Sequence, residues 1–202
     1  IAISEEIIKD INIGTVVKID NKSNSILEIL GEIGDNQVDE KISLTLFNKV
    51  EIFSVDSTKN AISFGDKIDE TSIDNRVDLR ELPFCTIDPV TAKDHDDAIY
   101  FDLENNILYV AIADVSEYVN IDDTLDLESQ NRGFTIYLPH KSIPMLPRNL
   151  SENICSLKDN VDRLAHTFKI YLDENFEIKR YELLETVIKS RKKYSYDEVD
   201  NI

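Results

Sequence analysis

Positive charge is what this 202-residue chain has least of. Its 22 Lys and Arg stand against 40 Asp and Glu, a formal net charge of −18. The excess is spread along the chain, with 16 acidic and 9 basic residues up to Arg80. A field of that sign repels nucleic acid over most of a surface. Cysteine is scarce too. Cys85 and Cys155 have no metal-ligand spacing, which fits a reduced, cytoplasmic setting. The three histidines, His95, His140 and His166, are scattered and give a zinc site little support. Only five glycines occur. No Gly-x-x-x-x-Gly-Lys phosphate loop and no Gly-x-Ser-x-Gly nucleophile elbow is among them. Apolar runs of membrane-spanning length are missing, as is a signal-peptide pattern, so no membrane role is expected. With 42% hydrophobic residues the chain can still bury a core, in one or two domains.

What is present is a concentration of short carboxylates. Asp88-Pro89-Val90-Thr91-Ala92-Lys93-Asp94-His95-Asp96-Asp97 holds four aspartates and no glutamate. It lies between the apolar runs Leu82–Ile87 and Ala98–Phe101. Two such charges about 5 Å apart repel by roughly 3 kcal/mol at an effective dielectric of about 20. A marginally stable domain cannot absorb several such pairs. Either the loop splays them into water, as in any solvated acidic loop, or cations compensate. The choice of Asp favours the second, because a short arm holds a carboxylate rigidly enough for Mg²⁺. An EF-hand would need Gly and a distal Glu at fixed positions, and neither is present. The remaining type is a carboxylate-only site, which holds two Mg²⁺ ions for phosphoryl transfer or phosphodiester hydrolysis.

Short runs rich in Val, Ile and Leu, separated by Asn/Ser/Gly/Asp clusters, predict strands over Ile13–Ile19, Ser25–Leu30 and Lys41–Phe47, an incomplete barrel or sheet. Asp56–Ser63 reads as a short helix with Asp56 as its N-cap, and Gly65–Asn75 as a linker. Beyond it, Ala98–Leu103 and Ile107–Ala113 form a hairpin around Glu104-Asn105-Asn106. Asp123–Asn131 is a helix closed by Gly133, and Thr135–Leu138 is extended. Ser151 caps a short helix through Ser156. Leu164–Leu172 alternates with His166, Phe168, Ile170 and Leu172 on one face, and pairs with Phe176–Leu184. Ser195-Tyr196-Asp197-Glu198 is a capping box, with a helix from Tyr196. That helix stops after about two turns, and the chain opens on Ile1, so both ends read as cuts.

Several segments in order carry a resemblance. Thr86–Ala98 resembles the catalytic motif of the ribonuclease R/ribonuclease II (RNB) family of exoribonucleases, closest to ribonuclease R. Val110–Ser116, Asn131–Pro139, Ile143–Pro147, Leu150-Ser151 and Cys155-Ser156-Leu157 resemble that family in the same order. Asp39–Leu46 resembles the end of its second cold-shock domain. The resemblance implies an α+β, β-rich fold. A partial OB-like cold-shock barrel (1–55) and a linker with a short helix (56–77) would precede the N-terminal part of a mixed α/β RNB catalytic domain (78–202). It implies a processive hydrolytic exoribonuclease that removes nucleoside 5′-monophosphates from the 3′ end of single-stranded RNA with Mg²⁺, or Mn²⁺ in its place. Carried over by position, Asp88, Asp94, Asp96 and Asp97 form the catalytic metal site, and Tyr137 stacks on the terminal base. Taken alone, Tyr137 reads as an ordinary strand aromatic.

The family's catalytic domain continues further. It brings an arginine motif near the scissile phosphate, a second aromatic, an S1 domain and a basic tail. Without them, the four aspartates are expected as an open, under-compensated loop. Other residues keep two readings each. Asp114 supports the site from behind or ends a strand. Arg132 and Arg148 touch phosphate or form surface ion pairs. Lys189–Lys193 lies on RNA or is a solvated strand end, and His95 is a spacer. Two other functions compete with the nuclease. One is a non-catalytic RNA-binding or regulatory module that retains the fold; the other is an unrelated acidic interaction domain. Oligomeric state leaves no mark in the sequence.

Overall fold

The computed structural model describes residues 11–201, so the first ten residues of the expected 1–55 domain lie outside it. Two units are distinguished. One runs to Phe53 and takes in Ile136–Ile143; the other comprises Ser54–Thr135 and the chain from Pro144. No helix among the described residues is long and apolar enough to cross a membrane.

In the smaller unit β1 (Thr15–Ile19) and β2 (Ile26–Glu32) pair antiparallel, with register shifts at Val16/Val17 and Lys18/Ile19. Asp20 organises the turn between them by accepting from the Lys22 N–H at 2.9 Å and the Ser23 hydroxyl at 2.8 Å. The third strand expected over Lys41–Phe47 is instead part of a helix, Asn36–Leu46. Asp35 caps it by accepting from the Gln37 N–H. The alternation Ile42, Leu44, Leu46 is strand-like only in isolation. With Val38 included, Val38, Ile42 and Thr45 recur at helical spacing, and Leu46 is left exposed. Helix and strand meet at Gly31, where φ is +136° and a Cβ would lie 2.4 Å from Val38 Cγ2. Only glycine permits both that conformation and that approach. A two-residue hairpin of β7 (Ile136–Tyr137) and β8 (Ser142–Ile143) completes the unit. Among the described residues nothing closes into a barrel.

The larger unit is built on a seven-stranded mixed sheet in the order β11-β4-β5-β6-β9-β10-β3. Its strands are β3 (Val77–Asp78), β4 (Cys85–Asp88), β5 (Asp97–Asp102), β6 (Ile107–Ala113), β9 (Asp162–Leu172), β10 (Ile178–Lys189) and β11 (Lys192–Ser195). The expected hairpins β5–β6 and β9–β10 are both formed. The long strand alternates as expected. Its buried face carries Ala165 and Thr167, whose hydroxyl meets that of Thr186 at 2.8 Å, while Phe168 stays partly exposed. On the buried face Ala98, Ala111 and Ala165 let Phe84, Tyr109, Leu157 and Ile188 pack closely. At one end of the opposite face, Leu164 and Val187 join Ala61, Tyr118, Leu125, Leu150 and Ile154 in a second core.

Helix Val55–Ser63 is capped by Ser54, not Asp56. The Ser54 hydroxyl accepts from the Ser57 N–H, and Asp56 already lies in the first turn, where its charge suits the helix dipole. Residues 64–75 contain a 3₁₀ turn, Glu70–Ile73, and Phe64, Ile68 and Ile73 pack on the second core. Helix Thr124–Arg132 is closed by Gly133 at φ 77°, as the sequence predicts, and Asp123 caps its start from outside the helix. The turn expected to start at Ser151 is a wide π turn, Leu150–Ile154. Pro147 supplies the carbonyl that accepts from both Leu150 and Ser151, so Ser151 lies inside the turn.

Candidate active site

The four aspartates stand where two strands of the larger unit leave and enter the sheet. Asp88 is the last residue of β4 and Asp97 the first of β5; Asp94 and Asp96 lie in the loop between them. The loop is pinned from three directions. Lys193 on β11 donates to the carbonyls of Ala92 (2.7 Å) and Val90 (3.3 Å). The buried Ser156 hydroxyl donates to the Lys93 carbonyl at 2.8 Å and accepts from the His95 N–H at 3.0 Å. Leu157 N–H donates to the His95 carbonyl, and Ala113 N–H to that of Asp96. The Asp88 carboxylate in turn lies 2.8 Å, through Oδ2, from His95 Nδ1.

These carboxylates feel one another. Asp96 is open to solvent at its edge. Even so, crowding by protein atoms, then the charges of Asp94, Asp97 and Asp88, push its pKa above the ordinary value against a smaller opposing effect of His95. No Lys or Arg salt bridge reaches any of the four among the described residues. Four short oxygen donors without a Lys or Arg salt bridge among the described residues are, in chemical type, a donor set for a hard divalent cation. Among the described residues no three such groups are close enough to hold an ion as they stand. The fit is therefore one of chemistry.

Other expected residues divide sharply. Tyr137 lies on β7 in the smaller unit, 77% exposed. Asp114 is buried and accepts from Arg76 (2.6 Å) and the Ser116 hydroxyl (2.6 Å), with His166 Nε2 at 3.2 Å. Arg132 is buried in an ion pair with Glu128, and Arg148 pairs with Glu152, one turn away along the chain in each case. The basic run Lys189–Lys193 has partners within the chain, although Arg191 and Lys192 stay exposed. Lys189 binds Asp162, Arg191 donates to the Arg80 carbonyl, and Lys192 lies over the Tyr194 ring. His95 is not a spacer, because it is buried and holds Asp88. Sequence reasoning also missed Ser156 and Lys193, although Cys155-Ser156-Leu157 stands out as a family-like segment.

Comparison with known proteins agrees with this architecture. Residues 76–202 match the RNB domain family, and residues 1–44 match the second OB domain of ribonuclease R. Ribonuclease R of Helicobacter pylori (strain ATCC 700392 / 26695) is 42% identical over 186 residues, 92% of this chain and 28% of that protein. Ribonuclease R of Chlamydia trachomatis is 43% identical over 182 residues, 88% of this chain and 26% of that protein. The chain thus spans little more than a quarter of these relatives. Mycoplasma genitalium RNase R in complex with ribose-methylated single-stranded RNA has 30% identity and a TM-score of 0.87, covering 99% of this chain and 33% of that one. Yeast Ssd1, a pseudonuclease, shares the fold at 17% identity and TM-score 0.73, covering 93% of this chain and 25% of that one. With an RNB match over more than half its length, and a strand-rich mixed α/β fold whose four aspartates crowd one loop, the chain belongs to the RNB family.

Proposed function

We propose that this chain carries the acidic half of a 3′→5′ exoribonuclease site. The whole protein would hydrolyse RNA processively in the cytoplasm, releasing nucleoside 5′-monophosphates from a single-stranded 3′ end. The observation that carries the reading is Asp96, pushed up by crowding and by the charges of Asp94, Asp97 and Asp88, in a cluster that no Lys or Arg salt bridge reaches among the described residues. In this reading Asp88, Asp94, Asp96 and Asp97 hold divalent cations, with Mg²⁺ the natural ion and Mn²⁺ its substitute. Two bound ions supply an activated water and neutralise charge on the leaving oxygen. The chain's residues do the rest. Lys193 and Ser156 fix the loop, so the carboxylates project from a rigid frame. Tyr137 offers a ring for a base of any identity, as a sequence-tolerant exonuclease requires.

A second reading, a non-catalytic RNA-binding module, is favoured by the openness of the carboxylate arrangement and by the fold's use in a pseudonuclease. Incubating the protein that carries this chain with a 3′-tailed, uniformly labelled RNA and Mg²⁺ or Mn²⁺ separates the two. Release of mononucleotides supports the nuclease, and binding without cleavage supports the module. An Asp96→Asn variant that cleaves as fast as its parent would show the site to be misassigned.

A further inference from the structure

Three carboxylates of the cluster lie on the loop and the start of β5, but the fourth, Asp88, ends a different strand. Something must set its oxygens relative to the others. His95 is 5% exposed and fixed at both ends of its own backbone. Its N–H goes to Ser156 Oγ at 3.0 Å, and its carbonyl accepts from Leu157 N–H at 2.9 Å. The ring is thereby delivered to one place, with Nδ1 2.8 Å from Asp88 Oδ2. A carboxylate oxygen accepts, so Nδ1 donates in this contact. The bond occupies one oxygen of Asp88, fixes the plane of the carboxylate and leaves the other oxygen to a ligand.

We propose that His95 is a positioning residue: it orients Asp88 for cation binding, so that strand and loop present one donor set. The inference rests on the reading of the cluster as a cation site and adds a specific residue to it. Groups that hydrogen-bond to metal ligands typically change affinity by about 10- to 100-fold when removed. A residue that merely fills space would lack that effect once its volume was replaced.

Three substitutions separate orientation from filling. His95→Leu keeps bulk and removes the donor. His95→Asn puts an amide N–H two bonds from Cβ, where Nδ1 lies, and His95→Gln puts it where Nε2 lies. Mn²⁺ is titrated into each chain and its free fraction read by electron paramagnetic resonance, with thermal unfolding recorded alongside. Leucine and glutamine are expected to weaken Mn²⁺ binding by about 10- to 100-fold, with asparagine close to the parent. Should leucine lower the melting temperature, the asparagine–glutamine pair carries the comparison, since both keep polarity. Binding that is unchanged in His95→Leu, or as weak in His95→Asn as in His95→Gln, overturns the inference. If Asp88→Asn loses Mn²⁺ while His95→Leu keeps it, the inference fails and the cation site stands. If the parent chain binds no Mn²⁺, both fail.

Discussion

Asp114 and Asp96 are neighbours across the sheet, since the residue before Asp114 donates its N–H to the Asp96 carbonyl. Their electrostatic situations are opposite. For Asp114, burial raises the pKa, but Ser116, Arg76 and His166 outweigh it and hold the carboxyl below its ordinary value. For Asp96, crowding and three like charges act together and push the carboxyl up. One site is compensated from within the chain and the other is left uncompensated. A carboxylate that only supports a fold arrives with its cation. A carboxyl pushed up beside three more, with only His95 opposing, costs stability, which is what the proposed cation site would offset.

The largest test of this contrast is Arg76→Met. The Arg76 side chain is 7% exposed and Asp114 only 2%, so the change strands a buried charge. Stability should fall by about 3–5 kcal/mol in a urea titration. Adding Asp114→Asn to Arg76→Met should recover much of that loss, because the stranded charge goes with it. At the other site Asp96→Asn should do the reverse to the fold, raising the urea midpoint by relieving repulsion. The same change in the whole protein should slow mononucleotide release by about a hundredfold or more. Equal signs for the two sites in urea would break the comparison.

The sequence made the carboxylates legible and left their supports hidden, for a physical reason. Four Asp in ten residues are a local signal, and so are the β5–β6 turn and the Gly133 cap. Lys193 binds carbonyls about a hundred residues away, and Ser156 bridges a backbone N–H and a carbonyl about sixty residues away. Every residue has a carbonyl, so nothing in the sequence singles out which one a lysine will meet. His95 looked like filler because its partner sits seven residues back, across a strand end whose direction only the sheet determines. The helix Asn36–Leu46 was misread because the apolar pattern was read from Lys41 onward, past Val38, the residue that sets its period.

A smaller effect follows for Ser156→Ala. It leaves the buried His95 N–H and the Lys93 carbonyl without their shared partner, which should lower stability by about 1–3 kcal/mol. Hydrogen exchange at the His95 amide should accelerate more than at Ala113, whose N–H bonds to Asp96 independently. Equal acceleration at both would mean that the loop moves as one body and that Ser156 is not a local pin.

The finest distinction is in pH. Asp114 titrates lower in the folded than in the unfolded chain. Its contribution to stability is therefore full above the ordinary carboxylate pKa of about 4 and is lost as pH falls through the folded value. Asp96 titrates higher in the folded chain, so above about pH 4 the folded state holds the extra proton. Its burden is absent in acid, grows as pH rises from the ordinary value to the folded one, and is constant beyond. Stability differences between parent and variant, measured by urea at several pH values, should then bend on opposite sides of that point. The Asp114→Asn difference should be constant above it and shrink below, whereas the Asp96→Asn difference should be near zero below and grow above. Mg²⁺ sharpens the contrast further. A cation drawn to the cluster offsets the repulsion at Asp96 and should flatten the upper limb of its curve, leaving the Asp114 curve unmoved, because Arg76 already stands where a cation would have to go.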